Sequence, residues 1–172
     1  MIIDNSISPY TYRSTIICGA QLQEYDWVEQ FIFDYKSYLE TKYRESTFQE
    51  CLARFYFEKK DYQKAMELLS QVEFKDSLQN LNTRILLAIM YFEEDEFDAL
   101  EALLNSMKAF IRRKRVMGYH KANYMNFAQM LIKVLYCPDF DKQAINELQS
   151  EIKDTTPLPR RQWLLEQLNK KN

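Results

Sequence analysis

Enzyme chemistry needs nucleophiles, proton carriers or metal ligands within reach of one another, and this 172-residue chain offers few of them. Its one histidine, His120, has no second histidine and no cysteine cluster near it in sequence, so a zinc site of ordinary composition is not expected. Cys18, Cys51 and Cys137 would be the nucleophiles of a cysteine–histidine enzyme. Each falls in an apolar helical pattern, where cysteine behaves as a small hydrophobe, and none carries a local catalytic motif. Gly19 and Gly118 are isolated, which removes the glycine-rich loops that cradle phosphates. The acidic run Glu93, Glu94, Asp95, Glu96 supplies oxygen ligands but lacks the spacing and the glycine of a calcium loop, and reads as a solvated turn between helices. The expectation is therefore a non-enzyme with no catalytic residue, no cofactor and no metal.

The strongest charge feature is the stretch FIRRKRVMGYHKANY, in which Arg112, Arg113, Lys114 and Arg115 are consecutive. A basic patch of this kind can contact nucleic acid, and that is the alternative functional reading. Four adjacent residues on a helix spread around its circumference, however, and cannot all face one phosphate backbone. No zinc-finger spacing, RNA-binding signature or clear helix-turn-helix accompanies them, and a net charge of -2 gives no overall pull toward polyanions. The run closes a helix that begins beside Glu93 to Glu96. Acids at the positive end and bases at the negative end complement the helix dipole, each well-placed exposed charge contributing about 0.3–1 kcal/mol.

The elements that must carry these residues are helices. Two glycines and four prolines leave little material for hairpin turns, and 47% hydrophobic with 28% charged residues is a globular composition. Leu78, Leu81, Ile85, Ile89 and Phe92 recur at three and four residues, as do Phe97, Leu100, Leu104, Met107 and Ile111, and then Tyr124, Phe127, Leu131 and Leu135. Ser8–Pro9 and Thr156–Pro157 each place a capping hydroxyl before a proline at a first helical position, and Pro138 closes a helix. About nine helices are expected, near 9–22, 25–42, 46–59, 62–72, 77–93, 96–115, 119–136, 140–154 and 158–169, joined by short loops and so antiparallel to their neighbours. The odd, widely spaced cysteines imply a reducing compartment. The N-terminus MIIDNSISPY lacks a signal-peptide pattern, and no run approaches the ~18 apolar residues of a membrane span. A cytoplasmic chain with no membrane partner is expected.

Internal similarity organises the list further. ARFYFEKKDYQKAMELL, from Ala53, aligns with AIMYFEEDEFDALEALL, from Ala88, pairing Tyr56 with Tyr91, Phe57 with Phe92, Glu58 with Glu93 and Tyr62 with Phe97. A weaker copy lies one period earlier, with Ile17, Cys18, Leu22, Asp26 and Trp27 set against Leu52, Ala53, Phe57, Asp61 and Tyr62.

Ala53, the aromatic pair Tyr56–Phe57, then Asp61–Tyr62 and Ala65 resemble the tetratricopeptide repeat. Over a longer range the stretches EYDWVEQFIFDYKSYL, FYFEKKDYQKAMELLSQVEF, ALEALLNSMKAFIRRKRVMGYHKANYMNF and RRQWLLEQL resemble the C-terminal part of uncharacterised tetratricopeptide-like proteins common in Bacteroidetes. The resemblance implies a single all-α domain over 1–172, a TPR-like α-solenoid of stacked antiparallel hairpins. It would have a degenerate hairpin at about 9–42, repeats at about 46–76 and 81–111, and capping helices at about 119–169, with Trp163, Leu164, Leu165 and Leu168 covering the apolar end. It also implies a non-enzymatic protein-interaction scaffold or adaptor whose partner is another protein or another part of a longer parent chain. The partner groove would hold Glu50, Arg54, Phe57 and Glu58 in one hairpin and Ile85, Ile89, Phe92 and Glu93 in the next. Burial of Phe57, Ile85, Ile89 and Phe92 by neighbouring helices is the competing expectation. Glu50 and Arg54 stand where the lysine and asparagine of a carboxylate clamp would be, so chaperone-tail binding is not implied.

Overall fold

A chain with two glycines has few residues that adopt a left-handed backbone freely, yet a helix that stops and reverses within three residues commonly needs one. The computed structural model, which describes residues 6–70, 77–113, 118 and 120–172, shows how that demand is met. The chain is all-α: α1 (Pro9–Gln21), α2 (Tyr25–Asp34), α3 (Arg44–Glu58), α4 (Tyr62–Ser70), α5 (Ser77–Glu93), α6 (Phe97–Arg113), α7 (His120–Tyr136), α8 (Lys142–Asp154) and α9 (Arg161–Asn169). Among the described residues there is no β-strand, only an isolated parallel bridge between Ile7 and Leu39. The chain divides into two compact units, Met1–Leu86 and Leu87–Asn172, the division falling inside α5.

Three of the reversals are built alike, on non-glycine residues. Gln23 (φ 63), Lys60 (φ 62) and Asp95 (φ 57) are left-handed. In each turn that residue's N–H donates to the carbonyl three back (Ala20 at 3.0 Å, Phe57 at 3.0 Å, Phe92 at 3.4 Å). The next N–H donates five back, Glu24 to Gly19 (3.1 Å), Asp61 to Tyr56 (2.9 Å) and Glu96 to Tyr91 (2.8 Å). This is the Schellman pattern, which satisfies the carbonyls left open at a helix end. Lys60 and Asp95 are 35 residues apart, the period of the internal repeat. Ring pairs also correspond, Phe57 with Tyr62 (5.8 Å) and Phe92 with Phe97 (6.1 Å), while Ala53 and Ala88 are both fully buried.

The first hairpin follows the same plan in a register two residues away from the sequence alignment. Gln23 corresponds to Lys60 through their turns, so Tyr25, not Trp27, takes the place of Tyr62, and buried Val28 that of Ala65. A short segment with no glycine or proline at the turn offers nothing to fix the offset. Gly19 supplies the close approach: a Cβ there would lie 2.5 Å from Val28 Cγ2.

Two helix boundaries differ from expectation. The helix placed over 25–42 ends at Asp34, continues as a 3-10 turn over Lys36–Tyr38, and gives way to an extended Leu39. Leu39 and Ile7 are buried at 1% exposure each, and the Ile7 N–H donates to the Tyr38 carbonyl (2.9 Å), so burial of two apolar side chains against the α1 entry outweighs helix continuation. At the other end α9 begins at Arg161 rather than 158. Thr156 and Leu158 each precede a proline, which disfavours helical backbone at both, and Arg160 (φ 58) enters the helix left-handed. Ser8 behaves as expected, its Oγ accepting from the Thr11 N–H (3.0 Å) with Pro9 at the first helical position. The tails of the expected helices at 71–72, 114–115 and 119 lie outside the described residues.

Each unit has its own core. In Met1–Leu86, Tyr12, Ile16, Val28, Phe31, Ile32, Leu39, Cys51 and Phe55 are buried together, and the Tyr12 hydroxyl donates to the Ile32 carbonyl. Trp27, Phe31 and Tyr35 stack at successive helical turns, with centroids 5.3 and 4.6 Å apart. In Leu87–Asn172, α6 packs on α7, while α9 packs on α7 and α8, burying Leu104, Met107, Phe127, Leu131, Ile145, Leu164 and Leu168.

These turns make opposite predictions for two glycine-related substitutions. Gly19→Ala gains helix propensity of about 1 kcal/mol but must displace a buried, stiff valine, so a net loss of about 1–2 kcal/mol in urea denaturation is expected. Lys60→Gly removes the left-handed cost and is expected to raise stability by about 0.5 kcal/mol, whereas Lys60→Val lowers it.

Candidate interaction site

The residues with the chemistry of a nucleophile are distributed and mostly enclosed. Cys51 is buried at 1% exposure, and burial first, then the Glu50 carboxylate, pushes its thiol up to about 12. It is therefore protonated, and not a nucleophile, at neutral pH. Burial also raises the Cys137 thiol. Cys18 is exposed on α1. Among the described residues no three His, Cys, Asp or Glu side chains gather as a metal site would require. His120 opens α7 and is half-buried.

In the first unit, Glu50, Arg54 and Glu58 share one face of α3, as their spacing of four dictates. Arg54 Nε donates to Glu58 Oε1 (2.9 Å), and the guanidinium lies 5.6 Å from the Phe57 ring centre. Glu50 is held from α1, where Arg13 Nη2 donates to Glu50 Oε2 (2.8 Å). The result is an alternating strip, Arg13, Glu50, Arg54, Glu58, whose side chains keep 17–28% of their surface in solvent. Arg13 was not among the residues the sequence suggested. It is 37 residues from Glu50, and no local pattern links them. Phe57 and Ile85 are buried at 8% and 5%, so their rings and methyls serve the core.

In the second unit Ile89 is buried at 2%, and Phe92 and Glu93 are engaged by α9. The Phe92 ring meets Trp163 edge-on (5.4 Å). Glu93 Oε1 accepts from Trp163 Nε1 and from Gln167 Nε2, both at 2.7 Å, and Lys170 Nζ lies 3.6 Å from Glu93 Oε2. Glu93 is thus an anchor for α9 rather than a member of a solvated acidic turn. Glu94, Asp95 and Glu96 are exposed, as a turn requires. Arg112 and Arg113 are exposed in the last turn of α6, opposite Asp98 in its first turn. Lys114 and Arg115 lie outside the described residues.

A further surface was not anticipated. Tyr10 (77% exposed) on α1 and Leu22 (74%) at its C-cap lie in register at four-residue steps, with Ser14 and exposed Cys18 between them, and Trp27 of α2 is half exposed. Between the two helices runs a shallow groove of about 450 Å³, lined by Thr15, Cys18, Gly19, Leu22, Glu24 and Trp27. The signal in the sequence was the run of uncharged residues at spacing four on α1.

Burial of Cys51 has a consequence for pH. Its folded pKa lies above the ordinary value of 9.0, so its contribution to stability is whole below about pH 9 and is lost as pH rises toward 12. The Tyr12 phenol is raised by burial as well, adding to the same decline. The unfolding free energy from urea denaturation is expected to fall from pH 9 upward by of order 1 kcal/mol per pH unit, and to fall less steeply in Cys51→Ala.

No protein-family model, curated protein or solved structure matches the chain.

Proposed function

We propose that this chain is a non-enzymatic scaffold or adaptor that binds another protein, or another part of a longer parent chain, through TPR-like helical hairpins. The observation that carries the reading is repetition: the Lys60 and Asp95 turns are built alike 35 residues apart, with corresponding ring pairs beside them. Repeated hairpins create extended surface from local contacts, whereas catalysis needs groups that converge. The docking strip is the α3 face of Glu50, Arg54 and Glu58 with Arg13, whose partly solvated pairs can exchange partners at modest cost. Three free thiols suit a reducing compartment, the cytoplasm. No helix among the described residues is long and apolar enough to cross a membrane.

A second reading, a regulatory module that meets nucleic acid through residues 112–115, draws on the exposure of Arg112 and Arg113. One experiment addresses both. The full chain and the charge-swapped pair Arg13→Glu with Glu50→Arg, which preserves the internal ion pair, are used as baits in lysate of cells that produce the protein. A discrete protein is expected on the parent bait, reduced about tenfold on the swapped one. Recovery no better than from an unrelated helical bait overturns the scaffold reading. Nucleic acid retained instead, and released by Arg112→Glu with Arg113→Glu, transfers the function to the second reading.

A further inference from the structure

We propose that the groove between α1 and α2 docks a cationic amphipathic helix of a partner protein. The inference rests on the scaffold reading only in that the partner is a protein, and it shares no residue with the α3 strip. Its first support is exposed apolar surface. Leu22 and Trp27 present large side chains to solvent on either side of the groove, whereas Ile16, Val28 and Ile32 on the same two helices are buried and Ile17 is half-buried. Trp27 is not a loose side chain, because its ring stacks on Phe31 at 5.3 Å, so little ordering would be needed on binding.

Shape is the second support. Thr15, Cys18 and Gly19 are small, so the floor of the groove is low and a partner helix can approach closely. The uncharged groove-lining positions Ser14, Cys18 and Leu22 extend for about 12 Å along α1 to its C-cap, roughly two helical turns, with exposed Tyr10 one turn before them. A helix lying in such a groove presents apolar anchors at three- and four-residue spacing.

Charge selects among occupants. From Ser14 to Tyr35 there is no lysine or arginine, while Glu24, Asp26, Glu29 and Asp34 are present. Glu24 lines the groove itself, and Glu24, Asp26 and Asp34 are exposed and make no ion pair among the described residues. A second copy of the chain would bring Glu24 against its own counterpart, and an anionic lipid surface would be repelled by it. Lysine or arginine flanking an apolar stripe complements the groove on both counts.

The probe is a fluorescein-labelled helix of about 18 residues with a leucine–alanine stripe and lysine flanks, and a counterpart with glutamate flanks, titrated with the full chain by fluorescence anisotropy. Saturable binding of the lysine helix is expected, at least about tenfold tighter than the glutamate helix and weakened as salt rises from about 0.05 to about 0.5 M. Leu22→Asp, at an exposed helix end, is expected to weaken it about tenfold and Glu24→Lys about threefold, with helix content unchanged by circular dichroism. Equal binding of the two peptides, no saturation, or an unaffected Leu22→Asp overturns the proposal. So does capture of phosphatidylserine vesicles, or self-association abolished by Leu22→Asp. The Arg13→Glu with Glu50→Arg variant must bind the peptide as the parent does. Normal peptide binding beside capture that is unchanged on the swapped bait would therefore sink the α3 strip and leave the groove standing, and capture lost on the swapped bait beside absent peptide binding would sink only the groove.

Discussion

The left-handed residue after α1, α3 and α5 is the constraint on which the described structure hangs. Without glycine at these points, Gln23, Lys60 and Asp95 accept a backbone that side chains disfavour, and the two hydrogen bonds of each turn hold them there. The turn directs the chain back in three residues, and so decides which residues of adjacent helices meet. It also displays the residues around it. Leu22 and Glu24 flank Gln23, and both line the α1–α2 groove. Phe57 lies just before the Lys60 turn, and Phe92 and Glu93 just before that of Asp95, where the first packs in the core and the other two receive α9.

Charged groups divide between those satisfied within their unit and those left to solvent. Glu93 illustrates the first kind, with two donors from α9 on one carboxylate oxygen. That arrangement makes it a structural acceptor, since a half-buried carboxylate deprived of such donors carries a desolvation cost. The Arg13–Glu50 and Arg54–Glu58 pairs are intermediate, bonded yet partly wet. Glu24, Asp26 and Asp34 are of the second kind, exposed carboxylates, of which Glu24 lines the α1–α2 groove. Buried groups that might have been reactive are instead held neutral, Cys51 above all, because a thiolate there would lose its water without gaining enough from the two neighbouring arginines.

Periodicity alone determined much of this protein. Helical spacing of apolar residues located α5, α6, α7 and α8, because a 3.6-residue stripe is a direct record of one-sided burial, and the Ser8–Pro9 capping pair fixed the start of α1. The repeat from Ala53 to Ala88 was legible for the same reason, since equivalent turns demand equivalent flanking rings. Spacing of four placed Glu50, Arg54 and Glu58 on one face without further information. What tertiary structure decided were relations between residues distant in sequence. Leu39 leaves the helical path because Ile7 waits to cover it; Arg13 becomes the partner of Glu50; Glu93 belongs to α9; and the first hairpin adopts its own register because Gly19 admits Val28. Local propensity carries none of these, because each depends on which surfaces the short turns bring within a few ångströms, and that proximity exists only once the helices have packed.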